Sequence, residues 1–317
     1  MKILNFGSLN IDYVYAVEHF VSPGETLSSN ELFINCGGKG LNQSIAAARA
    51  GNLVFHAAFA GQDGKMLQDK LIENDVDTSY IEVLNETGGH AIIQVDKNGQ
   101  NCILLHGGTN QLLTKAYIDA VLDSFGNEGL VLLQNETNLV GYIIEEACKR
   151  GLKTALNAAP MNETVLSYPL ELLDWIIVNE VEGKQIAGCT KDEDILPALK
   201  ERFPNGNILL TLGKNGAVCH SQGKTYRVGR YQVDVVDTTA AGDTFTGYFL
   251  YGYLSGGGIA KALLLATTAS ALSIGKKGAS DSIPLRDEVE AVIRENRFGV
   301  LEMIEDEGGH YEKSLIY

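Results

Sequence analysis

No C-x-x-C pair and no histidine at zinc-ligand spacing accompanies the five cysteines of this 317-residue chain, Cys36, Cys102, Cys148, Cys189 and Cys219. An odd, widely spaced set excludes a disulfide scaffold and a structural zinc site, and reads as reduced thiols in a cytosol. Cys36, beside a glycine-rich stretch, suits a small buried hydrophobe better than a reactive thiol. Positive charge is scarce too: 25 Lys and Arg stand against 40 Asp and Glu, a formal net charge of -15. Such a chain repels nucleic-acid backbones and anionic membrane surfaces, so neither is expected as a partner. Long apolar runs are missing. The first ten residues, MKILNFGSLN, hold no signal-peptide core, and the most apolar later segment, residues 259–274, is short and carries Thr267, Thr268, Ser270 and Ser273. A soluble cytoplasmic protein is expected. There is no internal repeat, low-complexity tract or linker between globular units. What remains, with 45% hydrophobic residues, is a chain able to bury a large α/β core.

The stretch from Tyr231 to Gly256, YQVDVVDTTAAGDTFTGYFLYGYLSG, organises the rest. It reads as an apolar strand ending at Val236, a run of small residues, and a helix opening near Asp243 with Phe245, Phe249, Leu250 and Leu254 on one face. In the turn, Ala240, Ala241 and Gly242 bear nothing large enough to hold an anion off the backbone. The free N–H groups of a helix start, backed by the helix dipole, make an anion site there. Asp243 lies in the same first turn, where the dipole favours a carboxylate able to take a proton from a hydroxyl beside it. One turn thus offers a phosphate cradle and a base, although the same residues also make an ordinary helix acid and turn glycine.

Taken in order, residues 2–6 read as a buried first strand with Gly7, Ser8, Asn10 and Asp12 at its C-terminal end, where open parallel sheets bind ligands. Asn10 and Asp12 share a face and suit a vicinal diol, although the pair alone favours a turn with an Asx hydrogen bond. Residues 31–35 read as a strand leading into the glycine-rich GGKGLNQ and a helix over 44–50, a spacing that is not a Walker A motif. Strand-turn-helix rhythm at 54–74 gives way to a hairpin, His90 to Val95 and Asn101 to His106, turned at Asn98-Gly99. With residues 14–20 and 31–35, this hairpin suits a small β lid. Alternation then resumes through strands at 130–134, 153–157, 175–179 and 208–211 and helices at 139–150 and 180–187, predicting a mostly parallel sheet. Polar residues recur at the strand ends: Asn135 and Glu136, Asn157, Asn179 with Glu180 and Glu182, then Thr211, Gly213, Lys214 and Gly216. Ligand chemistry at strand C-termini accounts for that recurrence. Helices are expected at 259–274 and 286–294.

Three stretches, G-x-x-N-x-D at 7–12, GGKGLNQ at 37–43 and DTTAAGDTFTG at 237–247, in this combination and spacing resemble the ribokinase-like sugar kinases, the phosphofructokinase-B superfamily. Within it, GGKG-x-NQ is most similar to the ribokinases. The likeness runs from residue 1 to about 295 and leaves 296–317 as an acidic tail without an assigned role. The resemblance implies an α/β three-layer sandwich with a mostly parallel central sheet. It also implies a discontinuous β-sheet lid, from about 12–35 and 90–107, that covers the sugar and joins a homodimer. The implied activity is ATP-dependent transfer to a primary sugar hydroxyl, D-ribose to ribose 5-phosphate, with Mg²⁺ and an activating K⁺.

The same resemblance implies the roles. Asp243 matches the base, and Ala240, Ala241 and Gly242 the anion hole. Asn10, Asp12, Gly38, Lys39, Asn42 and Glu136 match sugar contacts. Asn179, Thr211, Gly213 and Gly216 match the nucleotide site, and Glu182 the acid that places Mg²⁺ through water. Asp237, Thr239, Ser273, Lys276, Gly278 and Ser282 match the monovalent-cation loop, mostly through backbone oxygens. Leu41 stands where ribokinases carry alanine and is expected to narrow the sugar pocket against hexoses; Asn157-Ala158-Ala159-Pro160 replaces their Asn-Pro-Ala-Pro. Rival readings are a kinase of fructose, 2-keto-3-deoxygluconate or adenosine, against which Gly38-Lys39 argues, and a non-catalytic sugar or nucleotide sensor. A sensor needs no base, and Gly242, Asp243 and Glu182 are intact.

Overall fold

Along β1 (Lys2–Phe6) alternate residues face opposite ways, Ile3 into one hydrophobic core and Leu4 and Phe6 into another. The central parallel strands of the sheet between those cores are of the same apolar kind, apolar on both faces because helices cover both. The computed structural model describes residues 1–299, 301–307 and 310–316, with side chains as far as residue 306. After β1 come β2 (Asn10–Ala16), β3 (Glu31–Gly37), α1 (Lys39–Ala50), β4 (Leu53–Ala60), α2 (Lys65–Ile72), β5 (Val76–Val83), β6 (Gly89–Val95) and β7 (Asn101–His106). The middle of the chain supplies α3 (Lys115–Phe125), β8 (Leu130–Gln134), α4 (Val140–Lys149), β9 (Lys153–Asn157), β10 (Trp175–Asn179), α5 (Glu180–Ala187) and α6 (Asp192–Arg202). The last part supplies β11 (Asn207–Thr211), β12 (Ala217–Ser221), β13 (Lys224–Val228), α7 (Ala241–Leu254), α8 (Gly258–Ile274), α9 (Arg286–Arg294), β14 (Leu301–Glu307) and β15 (His310–Ile316).

Eleven strands form the main sheet in the order β15-β14-β13-β12-β11-β10-β9-β8-β1-β4-β5. From β5 to β11 neighbours run parallel; from β11 onward they alternate. Helices α1, α7 and α8 cover one face through Ile45, Phe249 and Leu263, and α3, α4 and α6 cover the other through Ile118, Ile143 and Leu199. Truncating any of these to alanine would cost about 2–5 kcal/mol. The three-layer sandwich expected from the alternation is therefore what the chain builds. A second sheet, β3-β2-β6-β7, stands apart as the lid, antiparallel except where β2 meets β6. None of the described helices is long and apolar enough to cross a membrane.

One contact fixes how closely α1 and α7 approach. A Cβ on Gly247 of α7 would lie 2.5 Å from the Cβ of Ala46 on α1. Only glycine there lets the two helices close up, one turn beyond Asp243 and one turn beyond Asn42.

Local expectations fail at three places. Residues 231–236 are not a strand: Val235 and Val236 are exposed, and the N–H groups of Val236 and Asp237 both donate to the carbonyl of Ile274 at the end of α8. The helix expected from residue 44 begins at Lys39, so most of GGKGLNQ is its first turn, not a loop before it. The first lid strand lies at 10–16, earlier than the 14–20 expected, and so carries Asn10 and Asp12. Elements not anticipated are β5, α3, α6, the β12-β13 hairpin and β14-β15.

Candidate active site

The start of α1 is stapled to the ends of two central strands. Gly38 caps it with φ 96°, and three N–H groups that lack helical partners find others. Lys39 N donates to Glu136 after β8 at 2.8 Å, Gly40 N to Ser8 Oγ at 3.1 Å, and Leu41 N to the Ser8 carbonyl at 3.0 Å. Ser8 Oγ in turn donates to Glu136. A Cβ on Gly40 would sit 2.2 Å from Ser8 N, so this approach requires glycine. Burial raises the pKa of Glu136, against the pull of Ser8 and Lys39. Leu41 points away from the site: it is fully buried in the core beside Ile45, so it does not narrow a sugar pocket.

Helix α7 delivers the other half. Ala240, its cap, takes a left-handed φ of 59°, and Ala241 N donates to the Thr238 carbonyl at 3.2 Å. Of the three residues expected to cradle an anion, Ala241 thus has its N–H engaged. Gly242 and Asp243, at the second and third helical positions, have no carbonyl four residues back within the helix. The space where a Gly242 side chain would be is open. The Asp243 carboxylate, only 6% exposed, accepts from Asn42 Nδ2 at 3.2 Å and from Gln43 Nε2 at 2.8 Å, both on α1. Lys39 stands nearby; Asp243 raises its pKa most, burial opposes, and Glu136 and Glu182 add to the rise. It therefore remains a cation among three carboxylates.

Lys39, Asp243, Gly242, Glu182, Asn179 and Thr211 line a cavity of about 240 Å³. It adjoins a larger one of about 450 Å³, lined among others by Asn179, Thr211, Gly213, Gly216, Tyr231 and Thr267. Asn179 caps α5, its Oδ1 accepting from Val181 N and Glu182 N at 2.9 Å each. Glu182 answers with both oxygens, accepting from Asn179 N and Nδ2 at 2.9 and 3.0 Å. Burial raises the Glu182 pKa, against the Asn179 hydrogen bond and Lys39. Among the described residues no three His, Cys, Asp or Glu side chains cluster to hold a metal ion. Glu182 fits Mg²⁺ in another way: one carboxylate at the cavity wall, with lone pairs left for metal-bound water, as Mg²⁺ on a nucleotide is usually held.

On the lid, Asn10 Oδ1 accepts from Asn110 Nδ2 at 2.8 Å, and Asn110 also brackets Leu9 through its N and O. Asp12 accepts no hydrogen bond from the described residues, and burial, then the charge of Glu136, push its pKa up to about 6. The turn before α7 is laced to the loop after α8. Asp237 accepts from Thr239 N and Oγ1 at 2.9 and 2.6 Å and from Gly278 N at 3.0 Å. Burial works against its ionised form, but these bonds outweigh it and hold the carboxyl below its usual range. Ser273 and Ser282 are buried and donate to the Ser270 and Ala279 carbonyls, each at 2.9 Å. The loop is rich in oxygen, a donor set that suits a hard monovalent cation. The Lys276 side chain takes no part, reaching Glu288 at the surface at 3.4 Å.

The site thus gathers Gly38, Lys39, Asn42, Glu136, Gly242 and Asp243 in the body, with Asn10 and Asp12 across from them on the lid. Gln43 and Asn110 are partners that motif reading passed over, and Ser8 was expected only as one of the polar residues at the end of β1. For Gln43 the signal was present: with α1 starting at Lys39, residues 39, 42 and 43 share a face.

The sequence pattern of the pfkB family carbohydrate kinases matches residues 1–286. A ribokinase of Haemophilus influenzae is 35% identical over 291 residues, covering 89% of this chain and 95% of its own length. A deoxyribokinase of Salmonella typhi is 32% identical over 296 residues, 90% and 96% of the two lengths. The structure of Arabidopsis thaliana ribokinase complexed with ribose and ATP is similar at a TM-score of 0.79, with 27% identity, over 92% of this chain and 97% of that one.

Proposed function

Because the chain belongs to the pfkB family of carbohydrate kinases, we propose that it transfers the γ-phosphoryl group of ATP to the primary hydroxyl of D-ribose, giving ribose 5-phosphate and ADP. The observation that carries the reading is the buried Asp243 carboxylate, held by two amides of α1 at the very helix start whose Gly242 and Asp243 N–H groups are free for a phosphate. In phosphoryl transfer the protein mainly aligns, neutralises charge and accepts one proton. Asp243 takes the proton of the sugar hydroxyl as its oxygen bonds to phosphorus, a contribution of about 10²–10⁴ in rate. The two N–H groups and Lys39 meet the negative charge on the transferring group. Glu182 would hold Mg²⁺ through water, and the ion would supply positive charge on the phosphates. Asn179, Thr211, Gly213 and Gly216 line the nucleotide cavity. Asp12 accepts the 2- and 3-hydroxyl protons of the sugar, with Asn10, Gly38, Lys39, Asn42 and Glu136 along the rest of the ring.

The deoxyribokinase relative makes 2-deoxyribose the second reading. An ADP-release assay over pentoses, hexoses and nucleosides decides: ribose gives the highest kcat/KM, and a higher value for 2-deoxyribose, fructose or a nucleoside overturns the substrate. K⁺ would be held by the loop of Asp237, Thr239, Ser273, Lys276, Gly278 and Ser282, mostly through backbone oxygens, and would steady the backbone that leads into α7. Equal rates in potassium and in a bulky organic-cation buffer at matched ionic strength would remove it. The enzyme is cytoplasmic and pairs through the lid, whose Leu32, Phe33, Ile34, Ile103, Leu104 and Leu105 are exposed and suit the lid of a second copy.

A further inference from the structure

A chain of buried polar side chains crosses the centre of the molecule between α1 and the main sheet and ends on Asp243. Asn5, Gln43, Ser44, His56 and Gln134 are all at most 1% exposed. His56 Nε2 lies 3.2 Å from the Gly7 carbonyl. A carbonyl can only accept, so that nitrogen carries the proton, and burial keeps the ring neutral by pulling its pKa down to about 4. Nδ1 must then accept, and it does so from Ser44 Oγ at 2.8 Å. Ser44 Oγ, its proton committed, accepts from Asn5 Nδ2 at 2.8 Å; that amide's second proton goes to the Gly40 carbonyl at 2.8 Å. The Asn5 Oδ1 is thereby turned to Gln134, whose Nε2 donates to it at 3.1 Å and to Gln43 Oε1 at 2.8 Å. With its oxygen occupied, Gln43 has one group left to offer Asp243, its Nε2, at 2.8 Å.

Each link permits a single donor direction, so a histidine tautomer at one end determines that a donor meets the carboxylate at the other. The arrangement leaves Gln134 Oε1 buried without a partner, a cost that apolar residues filling the same space would avoid. We propose that Gln43 is a positioning residue for Asp243, holding its carboxylate in one orientation, and that the polarity of the Gln43 amide is set by the chain through Gln134, Asn5 and Ser44 to His56. The inference rests on the reading of Asp243 as the base. Lys39, Glu136 and Glu182 are the other charged groups about Asp243, and the test leaves them in place.

The test compares Gln43→Met, Gln134→Met and Gln43→Glu with the parent in kcat, sugar KM, melting temperature and the pH dependence of kcat. Gln43→Met removes one hydrogen bond to a charged group, so kcat falls about tenfold or more. The sugar KM stays within about twofold. The acidic limb of the kcat profile moves to higher pH, because the ionised carboxylate has lost a donor. Gln43→Glu moves that limb the same way by placing a like charge beside Asp243. Gln134→Met gives a smaller change of the same sign, since Gln43 keeps its contact and loses the group that orients it. If Gln43→Met does not fold, the other two carry the test. Folded variants with kcat and acidic limb within about twofold of the parent, or with losses confined to KM, overturn the proposal. Asp243→Asn separates the two readings: an inactive Asp243→Asn beside parent-like Gln43 variants overturns this inference alone, whereas an active Asp243→Asn removes the base itself.

Discussion

The two aspartates proposed to act on the sugar, one in the body and one on the lid, have surroundings that differ in kind. Asp243 sits on a core helix, nearly sealed from solvent, with two amide donors already on its carboxylate before any ligand arrives. Asp12 sits on the lid, accepts nothing from the described residues, and has a pKa raised by burial and by Glu136. The first is finished in advance, as a group must be that acts on the transition state without reorganising. The second is left unsatisfied, which in the proposed function leaves it for the hydroxyls of the substrate to complete. Preorganisation serves rate, and an unpaired acceptor serves recognition, because a ligand lacking the hydroxyl leaves that acceptor unpaired.

The contrast breaks most visibly at Asp243. Asp243→Asn is expected to keep the fold and sugar affinity while kcat falls by at least about 10²; steady-state kinetics with calorimetric sugar binding measures both, and turnover within about threefold of the parent removes the base. At Asp12 the loss lies in selectivity. One carboxylate accepting two hydroxyls makes bonds of roughly 1.5–3 kcal/mol each, so 2-deoxyribose falls about tenfold or more below ribose in kcat/KM. Asp12→Ala loses most of that difference, and an unchanged ratio between the two sugars would show that Asp12 does not read the 2-hydroxyl.

The smallest effect is the pH dependence. The Asp12 pKa is raised to about 6, so in the free enzyme the carboxylate that accepts sugar hydroxyls is present above that pH and lost as pH falls through it. Sugar binding weakens accordingly below about pH 6, and Asp12→Asn binds less well but without that slope. The effect on stability has the opposite sense. Between the ordinary aspartate value of 3.8 and about 6 the folded state holds a proton that the unfolded chain has released, so ionising Asp12 costs stability as pH rises through that window. A ribose KM independent of pH across it would place the titrating group elsewhere.

The range of the interactions decides how much of the fold and the site was legible in the sequence. The turn DTTAAGD announces itself because small residues, a helix start and an acid are neighbours in the chain. The start of α1 does not, because its glycines signal a loop and what overrides them is a carboxylate 97 residues away, Glu136 on Lys39 N. Reading that helix from residue 44 placed Gln43 in a loop and hid the face it shares with Asn42. Residues 231–236 misled in the other sense: alternating valines have the period of a strand, yet they lie along the end of α8, where no strand offers a partner. The buried polar chain was invisible for the same reason, since Asn5 and His56 each interrupt an apolar strand, Gln134 ends one, and nothing local joins them.

The strand after residue 300 bears on how far a C-terminal truncation would reach. Leu301 and Met303 of β14 are buried in the same core as α7 and α8. Gly229 N donates to the Glu302 carbonyl at 3.2 Å, and Phe298 packs on Tyr231 with ring centres 5.3 Å apart. Gly229 and Tyr231 are wall residues of the larger cavity. β14 thus belongs to the same folding unit as α7 and α8, although every residue assigned to the sugar lies before residue 254. That wall has its support only when Phe298 and residues 301–303 are in place. A chain cut before Phe298 would therefore still contain every residue proposed for the sugar and the proton acceptor, yet lack what braces the wall of the larger cavity.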